Sequence, residues 1–192
     1  MKILVTTILG FINFFTNSET LFPLDQHGKY TFSEVVEVPG MTRNELFTNG
    51  EEFVKKIKVL NTNKKYFSKD KENFILTNKG SFYVYRFGSL KKAIDGAVEY
   101  EIKLELKDGK YRYTITNFVF NEYRRNRYGK FEPVNGKFYP LEMEMTSLNQ
   151  KEWEKHREVV FEKTWDLIHN LYGEMIFIEA KKSKVSPKED VW

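Results

Sequence analysis

The 192-residue sequence contains no cysteine. A disulfide, a thiolate metal site and a thiol nucleophile are therefore excluded. So is a lipid anchor attached to a cysteine after a leader peptide. Histidine is almost as scarce, with three in all: His27, His156 and His169. On a helix, the thirteen-residue spacing of His156 and His169 exceeds three turns, so those two cannot share a metal ion. There is no H-E-x-x-H, no G-x-S-x-G, no phosphate-binding loop and no G-x-G-x-x-G. Glu142 and Glu144, in "LEMEM", alternate with apolar residues and read as a solvated edge. No catalytic residue, cofactor or metal ligand is expected from these patterns.

What is present is a chain of ordinary globular composition, 41% hydrophobic and 30% charged. Its length suits one domain with a core of its own. Aromatic residues reach 16%, mostly Phe and Tyr, which favours a sheet-rich fold. The net charge of +4 is spread among charges of both signs and does not by itself indicate a nucleic-acid partner.

The N-terminus runs from Lys2 through the apolar stretch Ile3 to Phe15 to the small or polar Thr16, Asn17 and Ser18. This is the layout of a secretory signal peptide over residues 1–18, with the mature chain beginning between Asn17 and Leu21. A buried first element of a cytosolic protein is the competing reading of the same stretch. The apolar run is short for a membrane span. The expectation is an exported protein, periplasmic or extracellular, without a lipid anchor and without a transmembrane helix once the signal is removed. A single domain over 21–178 and a charged tail over 179–192 complete the division.

Gly28 to Val38 alternates Tyr30, Phe32, Val36 and Val38 with polar residues, a half-buried strand ended by Pro39–Gly40. Thr42 to Glu45 forms a capping box, opening a helix with Leu46, Phe53, Val54, Ile57 and Leu60 on one face. Gly50 interrupts that helix, either to let it approach a sheet or merely weakening it. Asn73 to Phe87 reads as two short strands around a turn at Asn78–Lys79–Gly80. "AVEYEIKLELKDGKYRYTIT" alternates on both sides of Asp108–Gly109, a tight hairpin turn whose residues both favour positive φ. That turn pairs Leu106 with Tyr111, Leu104 with Tyr113 and Ile102 with Ile115, and sets Glu105 opposite Arg112. Trp153, Val160, Thr164, Leu167, Leu171 and Met175 mark a long amphipathic helix with a break near Gly173. The fold class expected is α+β, in the order β-α-β-β-β-β-α. It is a single antiparallel sheet of about five strands with both helices on one face.

"LFPLDQHGKYTFSEVVEVPGMTRNELF", "NKGSFYVY" and "YEIKLELKDGKYRYTITNF" resemble a family of bacterial exported proteins of unknown function whose fold is like that of the TATA-box-binding protein. The resemblance spans Leu21 to Phe120, with Phe53 standing where relatives carry tryptophan. It implies the TBP-like fold and brings no catalytic residues. The fold invites a nucleic-acid reading, but the open sheet face would present Glu99, Glu101, Lys103, Glu105 and Lys107. Three carboxylates there would repel phosphates, so no nucleic-acid partner is expected.

Glu122 to Pro140, "EYRRNRYGKFEPVNGKFYP", holds five basic side chains and five aromatic rings. It reads as a loop before the last helix. Tyr123, Arg124, Arg125, Arg127, Tyr128 and Lys130 are the candidate ligand-binding residues, because guanidinium forks and ring faces suit anionic groups and sugars. A merely solvated loop, with Phe131, Phe138 and Tyr139 pinning it to the core, is the competing reading. The expected function is that of a non-catalytic exported module binding a protein or glycan of the cell envelope. The alternative is a small-ligand binder or hydrolase with a polar site on the open sheet face.

Overall fold

The computed structural model describes residues 22–62, 64–86, 93–145 and 149–176. The expected signal peptide (1–18) and charged tail (179–192) lie outside the described residues. The order of elements is β1 (Phe32–Glu37), α1 (Arg43–Lys56), β2 (Ser68–Asp70), β3 (Ile75–Tyr85), β4 (Ile94–Lys107), β5 (Lys110–Arg125), β6 (Phe131–Pro140) and α2 (Gln150–Met175). The strands form one antiparallel sheet in the order β1-β5-β4-β3-β2, with β6 also pairing β5 beyond the end of β1.

The hairpin forms in the register the alternation dictates, with Leu106 opposite Tyr111, Leu104 opposite Tyr113, Ile102 opposite Ile115 and Glu105 opposite Arg112. The apolar members are buried, and a one-residue slip would carry the charged set inward. Of the two turn residues only Gly109 takes a positive φ, +72°, which corrects the expectation for Asp108. Asp108 instead accepts a hydrogen bond from the Arg43 amide at 2.8 Å, satisfying a free N–H in the first turn of α1. The Thr42–Glu45 capping box forms as the sequence indicates.

Gly50 resolves as a close-approach site. A Cβ there would lie 3.1 Å from Leu76 Cδ1 and 3.2 Å from Leu104 Cδ1, so α1 rests on β3 and β4 at that point. Helix α2 meets the same face. Its Phe161 and Trp165 rings lie 5.9 and 6.1 Å from Phe32, Tyr172 lies 6.0 Å from Tyr113, and Trp153 lies 5.6 Å from Phe120. Asn49 on α1 donates to the Met175 carbonyl at 3.3 Å, tying the helices to each other.

Three expectations are corrected. Residues 75–85 form one strand rather than two around a turn. The residues that imitate a turn serve α1: buried Asn78 donates to the carbonyls of Val54 (2.7 Å) and Ile57 (3.1 Å) at the end of that helix. A side chain at position 80 would collide with the Tyr100 hydroxyl and come within 2.6 Å of Ile57 Cγ2. The stretch 122–140 is the end of β5, a turn and β6, so the sheet has six strands. Helix α2 runs unbroken through Gly173 to Met175.

A Cβ at Gly173 would meet nothing within 4 Å. Gly173→Ala is expected to stabilise the protein by about 0.4–1 kcal/mol, because the unfolded chain loses freedom and the helix accepts the methyl group. A urea-denaturation midpoint at or below wild type would contradict this.

Two irregularities in the sheet decide which side chains reach the helices. In β5, Asn117 and Phe118 together stand opposite Tyr100, with Asn117 at φ +56°. This bulge resets the alternation, so Phe118 and Phe120 join Tyr111, Tyr113 and Ile115 on the buried face. In β4, Val84 pairs with Gly96 while Tyr85 pairs with Ile94, which leaves Asp95 as the extra residue.

Candidate functional site

The six residues expected to bind a ligand are split by the structure. The tip of the β5–β6 hairpin is organised by Asn126, whose side-chain oxygen accepts from the amides of Tyr128 (2.9 Å) and Lys130 (3.0 Å). Gly129 supplies the positive φ, +79°. Arg125 folds back and donates from Nε to the Gly129 carbonyl at 3.0 Å. Arg124 pairs with Glu122 at 2.9 Å and faces Glu132 across the strands. Arg127 lies over the Tyr128 ring, 4.8 Å from its centroid, and Tyr128 is 78% exposed. Tyr123 is set apart from these. It is buried, its hydroxyl accepts from Asn61 Nδ2 at 2.9 Å, and its ring meets Tyr83 edge-on at 5.9 Å. Of the three rings expected to pin the segment down, Tyr139 packs against the core while Phe138 is exposed.

A second constellation was not expected from the sequence. The bulge at Asp95 turns that carboxylate toward α2, where its Oδ2 lies 3.1 Å from Nε2 of the buried His156. Arg86, just past β3, donates to Asp95 Oδ1 from Nη2 (2.8 Å) and Nε (3.1 Å). The imidazole of His156, and after it the Arg86 guanidinium, hold the Asp95 carboxyl below the usual carboxylate range against the opposing effect of burial. The His156 ring stacks on Phe120 with centroids 5.0 Å apart and meets Trp153 at 6.1 Å, walled on two sides by aromatic carbon. Gly96 gives Phe120 its place, since a Cβ there would lie 2.5 Å from the ring carbons. Glu152, one turn before His156 on α2, completes a group whose possible ligand atoms all lie within 4.8 Å of one another.

Residues 32–121 match the family model described as a domain of unknown function (DUF4468) with TBP-like fold. Over those residues the chain is similar to that family. Two solved structures share its fold. A TBP-like protein from Parabacteroides distasonis aligns with a TM-score of 0.61 at 15% identity, covering 81% of this chain and 97% of the other. A DUF4468 family protein from Bacteroides ovatus aligns with a TM-score of 0.55 at 14% identity, covering 80% of this chain and 91% of the other. No curated protein matches the chain.

The match to the DUF4468 model ends at Asn121. It includes Asp95, Gly96 and Phe120 and stops before the hairpin tip, Glu152 and His156. The open face of the sheet neutralises itself. Lys79 pairs with Glu101 at 2.7 Å, and Glu105 receives Lys103 at 3.1 Å and Arg112 at 3.8 Å. Asn117 and Asn121 donate to Glu101 and Glu99 at 2.8 and 3.2 Å.

Proposed function

We propose that this protein is a non-catalytic, exported binding module that engages a protein or glycan of the cell envelope through the tip of the β5–β6 hairpin. The observation that carries the reading is the exposed Arg127–Tyr128 pair on a turn held by Asn126, with Arg124 and Arg125 beside it. A planar cation stacked on a ring, presented on a rigid hairpin, suits an anionic or carbohydrate group at little ordering cost. The charge–apolar–small layout of residues 1–18 supports export. Among the described residues no helix is long and apolar enough to cross a membrane. The carboxylates and ion pairs of the open sheet face argue against a nucleic-acid partner.

The alternative, a small-ligand binder or hydrolase, has one observation in its favour. The open face carries a depression of about 330 Å³ bordered by Tyr66, Thr77, Lys79, Glu101, Lys103 and Thr114. Its Lys79 and Glu101 are engaged with each other, which disfavours that reading.

The test is capture of partners from native envelope fractions with wild type and with Arg124→Ala/Arg125→Ala/Arg127→Ala. The triple variant should lose the partner that wild type retains, at unchanged thermal stability, since all three side chains lie at the exposed tip. Recovery of the same partners by both proteins would sink the hairpin reading.

A further inference from the structure

We propose that Asp95, Glu152 and His156 form a binding site for a divalent transition metal of the zinc type. The site is separate from the hairpin tip and does not depend on the function proposed for it.

The argument starts from how the fold brings the three groups together. Glu152 and His156 are four residues apart on α2, so they project from one face. Asp95 arrives from β4, as the residue of that strand left over where Val84 and Tyr85 find their partners. The ligand atoms lie within 4.8 Å of one another. The Asp95 Oδ2 to His156 Nε2 separation is 3.1 Å. Two ligands about 2.0–2.1 Å from a tetrahedral zinc ion stand about 3.3 Å apart, so the Asp95–His156 pair needs only a few tenths of an ångström of adjustment, and the exposed Glu152 side chain closes the remaining distance by rotation.

The surroundings suit such an ion. Arg86 occupies Oδ1 of Asp95 and leaves Oδ2 directed at the imidazole, the orienting role an outer partner plays around a metal ligand. Phe120, stacked on His156, fixes the ring plane. With His156 neutral, the two carboxylates and Arg86 sum to one negative charge, the sign a cation needs. Imidazole together with only two carboxylates favours zinc over magnesium or calcium, which prefer more oxygen ligands. Glu152 is exposed, so the ion has an entry side and a place for water as its fourth ligand.

The competing explanation is an Asp95–His156 hydrogen bond with Glu152 as a bystander. Calorimetric titration of tag-free, chelator-treated full-length protein with zinc chloride separates the two. The expected result is one ion per chain, with affinity lowered at least about tenfold in Glu152→Gln and again in His156→Asn, at least the loss caused by removing even an outer partner. Glu152→Gln changes an exposed side chain and leaves the fold intact, so its result stands even if His156→Asn is unstable. A His27→Gln/His169→Gln variant should bind as wild type does. The hairpin triple variant should also bind zinc normally, so failure of either proposal leaves the other standing. No binding by wild type, equal affinity in Glu152→Gln, or loss of binding in His27→Gln/His169→Gln would each overturn the site.

Discussion

Leu104→Ala is expected to cost about 2–5 kcal/mol of folding free energy, as core truncations do. Leu104 is fully buried near the hairpin end of β4, between Leu76 on β3 and Tyr113 on β5. Its Cδ1 also lies against α1 at Gly50, so a cavity there opens where helix and sheet come closest. The sheet cannot close the gap without breaking ladder hydrogen bonds, which places the cost in the upper half of that range. Glu105→Ala, one residue along, should cost less than about 1 kcal/mol, because its pairs with Lys103 and Arg112 lie on the open face and are partly exposed to solvent. Guanidinium denaturation of the two variants measures both. A larger loss for Glu105→Ala would mean the faces of β4 are inverted.

That contrast rests on a part of the fold readable directly from the amino-acid order. Fourteen residues of β4 and sixteen of β5 meet at Asp108–Gly109, and their period of two assigns inward and outward faces once the turn is set. The capping box was readable for the same reason, since Thr42 and Glu45 act within one turn. What misled was residues answering to distant partners. Asn78 and Gly80 have turn chemistry, yet Asn78 caps the far end of α1 and Gly80 makes room for Tyr100. The edge strand β6 carries Pro133 and Gly136, and its apolar residues Phe131, Val134, Phe138 and Tyr139 do not alternate, so it reads as a loop. An edge strand tolerates that composition because one side of its backbone has no strand to bond.

The candidate sites divide along the same line. The hairpin tip was legible as a concentration of arginine and tyrosine, although Tyr123 proved to be an interior residue held by Asn61. The Asp95–His156 pair was not legible, because its geometry is made by a bulge between β3 and β4 and by a helix far along the chain. One signal was available. Trp153, His156 and Val160 follow helical spacing, so His156 falls on the buried stripe of α2, where an imidazole requires a polar partner. Nothing in the order of residues names Asp95 as that partner.

Gly96→Ala should be among the most damaging single substitutions in the protein, at about 3 kcal/mol or more, the upper end of overpacking costs. A methyl group at position 96 would overlap the Asn121 carbonyl oxygen and lie 2.5 Å from the Phe120 ring. The oxygen belongs to the paired backbone of β5, directly across from Ala97, and cannot retreat without parting the two strands. The ring can move only toward His156, which it already touches, or toward Trp153. Strain at position 96 therefore passes into the Asp95–His156 pair. Gly173→Ala makes the same chemical change on open helix surface with the opposite expected sign, so thermal denaturation of the two variants side by side isolates the local packing. A cost below about 1 kcal/mol for Gly96→Ala would mean that Phe120 does not occupy the space over Gly96, and the aromatic wall behind His156 would have to be redrawn.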